Sequence, residues 1–69
     1  MNFEELMAGY VGRTVEVFLT NEFFTGQLAF VGSGYITVNV AQGYYTAVLT
    51  NILIGQIEYV RVLPQPQLD

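Results

Sequence analysis

The 69-residue chain contains no cysteine, no histidine and no lysine, and its only basic residues are Arg13 and Arg61. Without cysteine, disulfides cannot cross-link the chain and a thiolate metal site is excluded. Without histidine, cysteine or lysine, the usual side chains for a general base, a thiol nucleophile or a Schiff base are missing. We therefore expect no enzymatic activity, no catalytic residue, no metal and no cofactor.

Positive charge is scarce: six acidic residues against two arginines give a formal net charge of −4. Nucleic-acid affinity comes mostly from phosphate neutralisation and needs several cations on one face. Two arginines cannot supply that set, so DNA binding is not expected and RNA binding is weakly supported. Glu16 and Glu58 are the acids that two strands could bring together, on a face that we expect to be solvated.

Long hydrophobic runs are also missing, since no stretch of about 18 apolar residues occurs and no membrane span is expected. The chain starts with the acidic pair Glu4 and Glu5, where a signal peptide would carry a basic segment. These two features predict a cytoplasmic protein.

What the chain does contain is apolar surface, with 52% hydrophobic and only 12% charged residues. A domain of this length buries only about 60% of the surface that its unfolded chain exposes, so it is marginal alone. Large exposed apolar patches usually mark interfaces. We therefore expect one domain whose excess apolar surface meets another subunit.

A short helix is predicted at the N-terminus, over residues 3–8. Asn2 is a good N-cap, Glu5 stands at the third helical position of a capping box, and Gly9 is a plausible stop. The alternative is a frayed tail, because so short a helix is marginal without tertiary contacts. Three apolar residues share its inner face: Phe3, Leu6 and Met7.

After Gly12 the pattern alternates with the period of β-strands. Five strands are predicted over residues 14–20, 23–31, 35–41, 44–49 and 57–63, with a single-turn connector after residue 51. In the second strand Gly26 is expected to mark a bulge or bend. No segment is long enough for a crossover helix, so the sheet is an antiparallel meander that should close into a small barrel. Residues 1–63 form the domain, and residues 64–69 are predicted to be a disordered Pro/Gln tail.

Several aromatic residues lie on or near faces that need not point inward: Phe18, Phe23, Tyr35, Tyr44 and Tyr45. Exposed rings on a small sheet can stack nucleic-acid bases. They can equally form a protein interface, where tyrosine and phenylalanine are enriched. With so few cations beside them, the pattern favours an interface.

The chain contains, in order, the predicted helix, Val15-x-Val17-x-Leu19, Thr25-Gly26-x-Leu28, Val31 and Ile57-x-Tyr59-Val60. This order resembles the Sm-like (LSm) family, which includes the Sm proteins and bacterial Hfq. The likeness covers residues 3–63. It implies a mostly β fold, with a short N-terminal helix followed by a five-stranded, strongly bent antiparallel SH3-type barrel. The nearest kin that it suggests is a bacterial or phage branch of the family.

The chain departs from the family at the residues that line its uridine pocket. Gly32 stands where the family has an aspartate, Tyr35 where it has a methionine and Ile36 where it has an asparagine. The Arg-Gly pair of the second motif becomes Ile54-Gly55, and the Lys-His signature of Hfq is absent. The candidate ligand loop that remains comprises Gly32, Ser33, Gly34, Tyr35 and Ile36.

Sm-like proteins form rings by pairing the fourth strand of one subunit with the fifth strand of the next. This contact removes open sheet edges, and the resemblance implies a homo-oligomer, with a ring of about five to seven copies expected. The alternative is a monomeric SH3-type barrel. The candidate interface residues are Tyr44, Tyr45, Thr46, Ala47, Val48, Ile57, Tyr59, Val60, Arg61 and Val62.

These observations favour a non-enzymatic scaffold or protein-interaction module. One alternative is an RNA-binding protein that uses aromatic stacking and backbone contacts. A second is a structural subunit or adaptor of a larger assembly, such as a phage particle or a spore layer.

Overall fold

A computed structural model describes residues 1–65 as a short helix followed by a five-stranded antiparallel sheet. The mostly β class predicted from the sequence is confirmed. The elements are α1 (Phe3–Ala8), β1 (Thr14–Phe18), β2 (Phe23–Val31), β3 (Tyr35–Ala41), β4 (Ala47–Leu53), a 3-10 turn (Ile54–Gln56) and β5 (Tyr59–Val62). Pro64 and Gln65 have no regular structure, and the rest of the predicted tail lies outside the described residues.

Helix α1 begins as its capping signal predicts. Asn2 is extended, and its side-chain Oδ1 accepts a hydrogen bond from the Glu5 backbone N–H at 2.8 Å. Met7 is buried and Phe3 packs against the core. Leu6 was placed on the same face by its spacing, but it is half exposed because a six-residue helix presents little more than one turn to the sheet.

Replacing Asn2 with alanine should lower the free energy of unfolding by about 1 kcal/mol, because the Glu5 N–H loses its acceptor. For a domain of this size that loss corresponds to a melting temperature lower by about 4 to 8 °C. Circular dichroism during heating measures it. Asn2→Asp keeps an acceptor oxygen and should melt close to the wild type; equal losses in both variants would show that the cap is not the cause.

The strands are ordered β4-β3-β2-β1-β5, and every neighbouring pair is antiparallel. The first four strands follow one another as hairpins. The fifth returns to the far side of β1, with Val17 opposite Val60 and Phe18 opposite Tyr59. Within residues 1–65, β4 and β5 are therefore the two edges of the sheet.

The core lies on one face of this sheet, beneath the helix. Val15 and Val17 of β1 are completely buried, as their alternation predicts. The other buried hydrophobic residues are Met7, Leu28, Ile36, Val38 and Ile52. Helix α1 and strands β1 to β4 thus all contribute to one small cluster, and β5 borders it through Val60 and Val62.

A bulge in β2 interrupts the predicted alternation. Leu28 pairs with Val38, but Phe30 pairs with Thr37, so Ala29 is an extra residue without a partner. Beyond it the pattern shifts: Val31 packs against the core and Phe30 is half exposed. Strict alternation would place Phe30 on the same face as Leu28, and the bulge is the reason that it lies elsewhere.

Gly26 is required for a different reason from the predicted bulge. It has regular partners on both sides, Val15 in β1 and Val40 in β3. A Cβ atom at this position would lie 2.2 Å from the Asn39 carbonyl oxygen and 2.8 Å from its carbon. The glycine therefore lets the β3 backbone come close, and the bulge itself lies at Ala29.

Three strands have bounds that differ from the predicted ones, and β4 also ends later than predicted, at Leu53. Turns account for the start of β4 and the end of β1. Residues 44–46 belong to a hairpin turn that Gln42 N–H closes by donating to Thr46 O at 2.9 Å, so β4 starts only at Ala47. β1 ends at Phe18 because Leu19 N–H donates to Glu22 O in the next turn. β5 is shorter than predicted at both ends, starting at Tyr59 and ending at Val62.

Candidate functional site

The β4 edge carries much of the exposed apolar surface of the sheet. Six of its seven residues are exposed or half-buried, and Ile52 alone is buried. Leu49 is 65% exposed and Leu53 is 58% exposed, both on the outer face, while Val48 is 50% exposed. The other side of β4 bonds to β3 along its whole length, from Ala41–Ala47 to Tyr35–Leu53. β4 thus offers an apolar strand with one free backbone edge among the described residues.

The β5 edge is shorter and more polar. Tyr59 is 58% exposed and stands on the outer face, opposite Phe18. Val60 and Val62 face inward and are half-buried. Arg61 lies beside its cross-strand partner Glu16, with Nε 2.7 Å from the Glu16 carboxylate. Glu16 is therefore the cross-strand partner of Arg61 and not of Glu58, which precedes the strand.

The predicted interface residues fall into four places. Ala47 and Val48 lie on β4, and Tyr59, Val60, Arg61 and Val62 make up β5. Tyr44, Tyr45 and Thr46 lie in the turn before β4, where both tyrosines are almost completely exposed. Ile57 lies between the 3-10 turn and β5 and packs against the core.

Leu49 ended the predicted fourth strand but was not among the predicted interface residues, and sequence reasoning missed Leu53 altogether. Leu53 lies in the run Ile52-Leu53-Ile54, where three consecutive apolar residues show no alternation and therefore do not indicate which face each one occupies. Its pairing with Tyr35 places it on the outer face, on the same side as Leu49.

The candidate ligand loop forms the turn between β2 and β3. Gly32 N–H donates to Tyr35 O at 2.9 Å, and Gly34 has a φ of +89°, a conformation that glycine adopts freely. The rings of Phe30 and Tyr35 lie 5.8 Å apart and flank Gly32, where a Cβ would approach both within 2.9 Å. Ser33 is exposed, whereas Ile36 is fully buried opposite Ile52 and has no side-chain surface for a ligand.

Both arginines are engaged within the chain. Arg13 Nη2 donates to the Leu63 carbonyl oxygen at 2.9 Å, and its guanidinium lies 6.0 Å from the Tyr10 ring centre. Arg61 is paired with Glu16. The surface of residues 1–65 therefore has no cluster of cations.

Three aromatic rings form a stack across the outer face of β2, β1 and β5, which we call the ring stack. Phe18 lies in the middle, with its ring centre 5.4 Å from that of Phe23 and 4.4 Å from that of Tyr59. The ring planes differ by only 19° and 14°. Phe23 and Tyr59 are each 58% exposed, so the stack offers two open ring surfaces.

A cleft of about 370 Å³ opens at the end of the sheet where the ring stack lies. The turn after β1 and the segment before β5 form its walls, from residues 19–22 and 55–58. Glu58 accepts a hydrogen bond from Thr20 Oγ1 at 3.1 Å across this cleft, and Glu22 stands on the same wall as Thr20. The cleft is polar and acidic.

Among residues 1–65, no three His, Cys, Asp or Glu side chains come together as metal ligands. No helix in that range is long and apolar enough to cross a membrane.

Comparison with known proteins gives no relative from which a function could be transferred: no family model, no curated protein and no solved structure matches the chain. The resemblance to Sm-like proteins rests on the residue pattern alone.

Proposed function

We propose that the chain is a non-enzymatic scaffold or protein-interaction module, an Sm-like, SH3-type barrel that assembles with copies of itself through the edges of its sheet. The observation that carries the proposal is the exposed apolar β4 edge, with Leu49, Leu53 and Val48 at least half exposed. Open edges of this kind invite strand pairing, and closed assembly removes them.

The sheet order supports pairing between β4 of one copy and β5 of the next. These are the strands at the two edges, so a head-to-tail contact uses two different surfaces and closes into a ring if the rotation permits. Leu49, Leu53 and Tyr59 all lie on the outer face of the sheet. A β4–β5 contact that continues the sheet places the leucines on the same face as Tyr59 of the neighbouring copy.

The charge distribution weighs against the RNA-binding alternative. Phosphate neutralisation needs several free cations on one surface. Arg13 and Arg61 are the only basic side chains of the chain; Arg13 is bonded to the Leu63 carbonyl oxygen, and Arg61 forms a surface ion pair with Glu16.

Light scattering on the purified protein tests the proposal. At micromolar concentration we expect a mass several times the 7.7 kDa of one chain, with a ring of about five to seven copies as the expected form. Leu49→Lys should shift the mass to that of a single chain, because a lysine on an edge strand opposes pairing.

Val11→Lys is the matched control, since Val11 is also half exposed but lies in the turn after the helix. It should keep the mass of the wild type. A wild-type mass of one chain, or a Leu49→Lys variant that assembles like the wild type, would refute the proposed assembly.

A further inference from the structure

The ring stack is apolar surface that the fold leaves uncovered. Phe18 is enclosed between its two neighbours, but Phe23 and Tyr59 each keep more than half of their surface exposed. The sheet edges do not need this surface for pairing, because the rings project from the outer face. A partner that covers it therefore meets flat, electron-rich ring faces.

Two glutamates adjoin the ring stack along the chain. Glu22 directly precedes Phe23, and Glu58 directly precedes Tyr59. Both glutamates are exposed and both line the cleft. Glu58 also accepts the hydrogen bond from Thr20 Oγ1 at 3.1 Å across the cleft.

Charge near the stack is negative and not neutralised by the chain itself. The one cation on the same face, Arg61, is bound to Glu16 at 2.7 Å. Arg13 is bound to the Leu63 carbonyl group. Glu22 and Glu58 have no cation within 4.0 Å among the described residues, so a complementary partner must bring positive charge.

We propose that the ring stack of Phe18, Phe23 and Tyr59, together with Glu22 and Glu58, binds an arginine-bearing segment of a partner protein. A guanidinium group is planar, stacks on aromatic faces and donates paired hydrogen bonds to carboxylates. The described surface offers both features on neighbouring residues: the exposed rings of Phe23 and Tyr59, and the glutamates that directly precede them. A lysine ammonium satisfies the charge but not the stacking, and a nucleic acid satisfies the stacking but not the charge.

The proposal is tested on the full-length protein with a fluorescein-labelled Gly-Arg-Gly-Arg-Gly peptide, by fluorescence anisotropy at low ionic strength. The control peptide carries citrulline in place of arginine, which keeps the planar shape and removes the charge. We expect the arginine peptide to bind about tenfold more tightly than the citrulline peptide, with the lysine peptide between them. The arginine affinity should fall as salt is added.

Two variants locate the site. Glu58→Gln should weaken arginine-peptide binding about threefold, as expected for an exposed ion pair. Tyr59→Leu should weaken it about fivefold, because a stacking face is lost. Glu5→Gln removes the same charge from the helix, away from the stack, and should bind like the wild type; circular dichroism checks that each variant is folded.

Equal affinity for the arginine and citrulline peptides on the wild-type protein would overturn the proposal without reference to any variant. So would equal weakening by Glu5→Gln and Glu58→Gln, which would indicate only a general charge effect. Displacement of the peptide by oligouridine at the same salt would assign the stack to nucleic acid. The site lies within one chain, so failure of the ring assembly leaves this test unaffected.

Discussion

Gly26→Ala is expected to abolish cooperative folding or to leave a protein that unfolds at the lowest denaturant concentrations. The added methyl would lie 2.2 Å from the Asn39 carbonyl oxygen, and the atom in its way is backbone rather than a flexible side chain. Relief requires β2 and β3 to separate where Gly26 pairs with both neighbouring strands. Overpacking typically costs about 1 to 3 kcal/mol and occasionally more, and a conflict with backbone atoms belongs at the upper end. The total stability of a chain of this length is about 3 to 10 kcal/mol.

Gly55→Ala is the matched control for this change. Gly55 lies in the 3-10 turn, and a Cβ there would meet no atom within 4 Å. The two variants add the same methyl group, so they separate steric conflict from the loss of glycine flexibility. Urea denaturation followed by circular dichroism measures both. A Gly26→Ala variant as stable as Gly55→Ala would mean that β3 does not approach β2 as closely as described.

Leu28→Ala is expected to lower the free energy of unfolding by about 3 kcal/mol. Leu28 is completely buried in β2, among the residues of the one small core. Truncation removes its contacts and leaves a cavity that a sheet with so few core residues cannot refill. Urea denaturation at a fixed chain concentration measures the loss.

Leu49→Ala is the comparison for that loss, because it removes the same atoms from a side chain that is 65% exposed. For the single chain it should cost less than about 0.5 kcal/mol. Any larger loss at Leu49 should depend on chain concentration, because stability that comes from association follows mass action. A large, concentration-independent loss at Leu49 would place it in the core and remove the basis for an exposed β4 edge.

Local signals were enough for the parts of the fold that short segments determine. The helix Phe3–Ala8 follows from its cap, because the Asn2 side chain and the Glu5 N–H are only three residues apart. The strands Phe23–Val31 and Tyr35–Ala41 follow from alternation bounded by turn residues, with glycine in the turns after each strand. In each case the deciding contacts lie within a few residues along the chain.

Contacts between strands decided the features that sequence reasoning missed. The exposure of Phe30 follows from the extra residue Ala29, which is defined only by the register against β3. β4 extends to Leu53 because all seven residues of β3 find partners there. Tyr44 and Tyr45 have the composition of a strand but lie in the turn, since the β3–β4 register begins at Ala41 and Ala47.

The candidate surfaces were likewise only partly predictable from the sequence. Composition by itself excluded disulfides and thiolate metal ligands, and it indicated excess apolar surface. The strand pattern also indicated that the aromatic residues Phe18 and Phe23 need not face the core. Only the register could bring Phe18, Phe23 and Tyr59 into one stack, because Tyr59 is far along the chain and meets Phe18 through the pairing of β1 with β5.

The sequence by itself determined that this is a small, acidic, mostly β chain with a capped helix and more apolar surface than one domain can bury. These properties depend on composition and on contacts between near neighbours. The tertiary structure alone decided which apolar residues stay outside the core, with Leu49 and Leu53 exposed on β4 and Ile36 buried. The physical reason is that a strand's inner and outer faces are assigned by its partners, and a single inserted residue exchanges them.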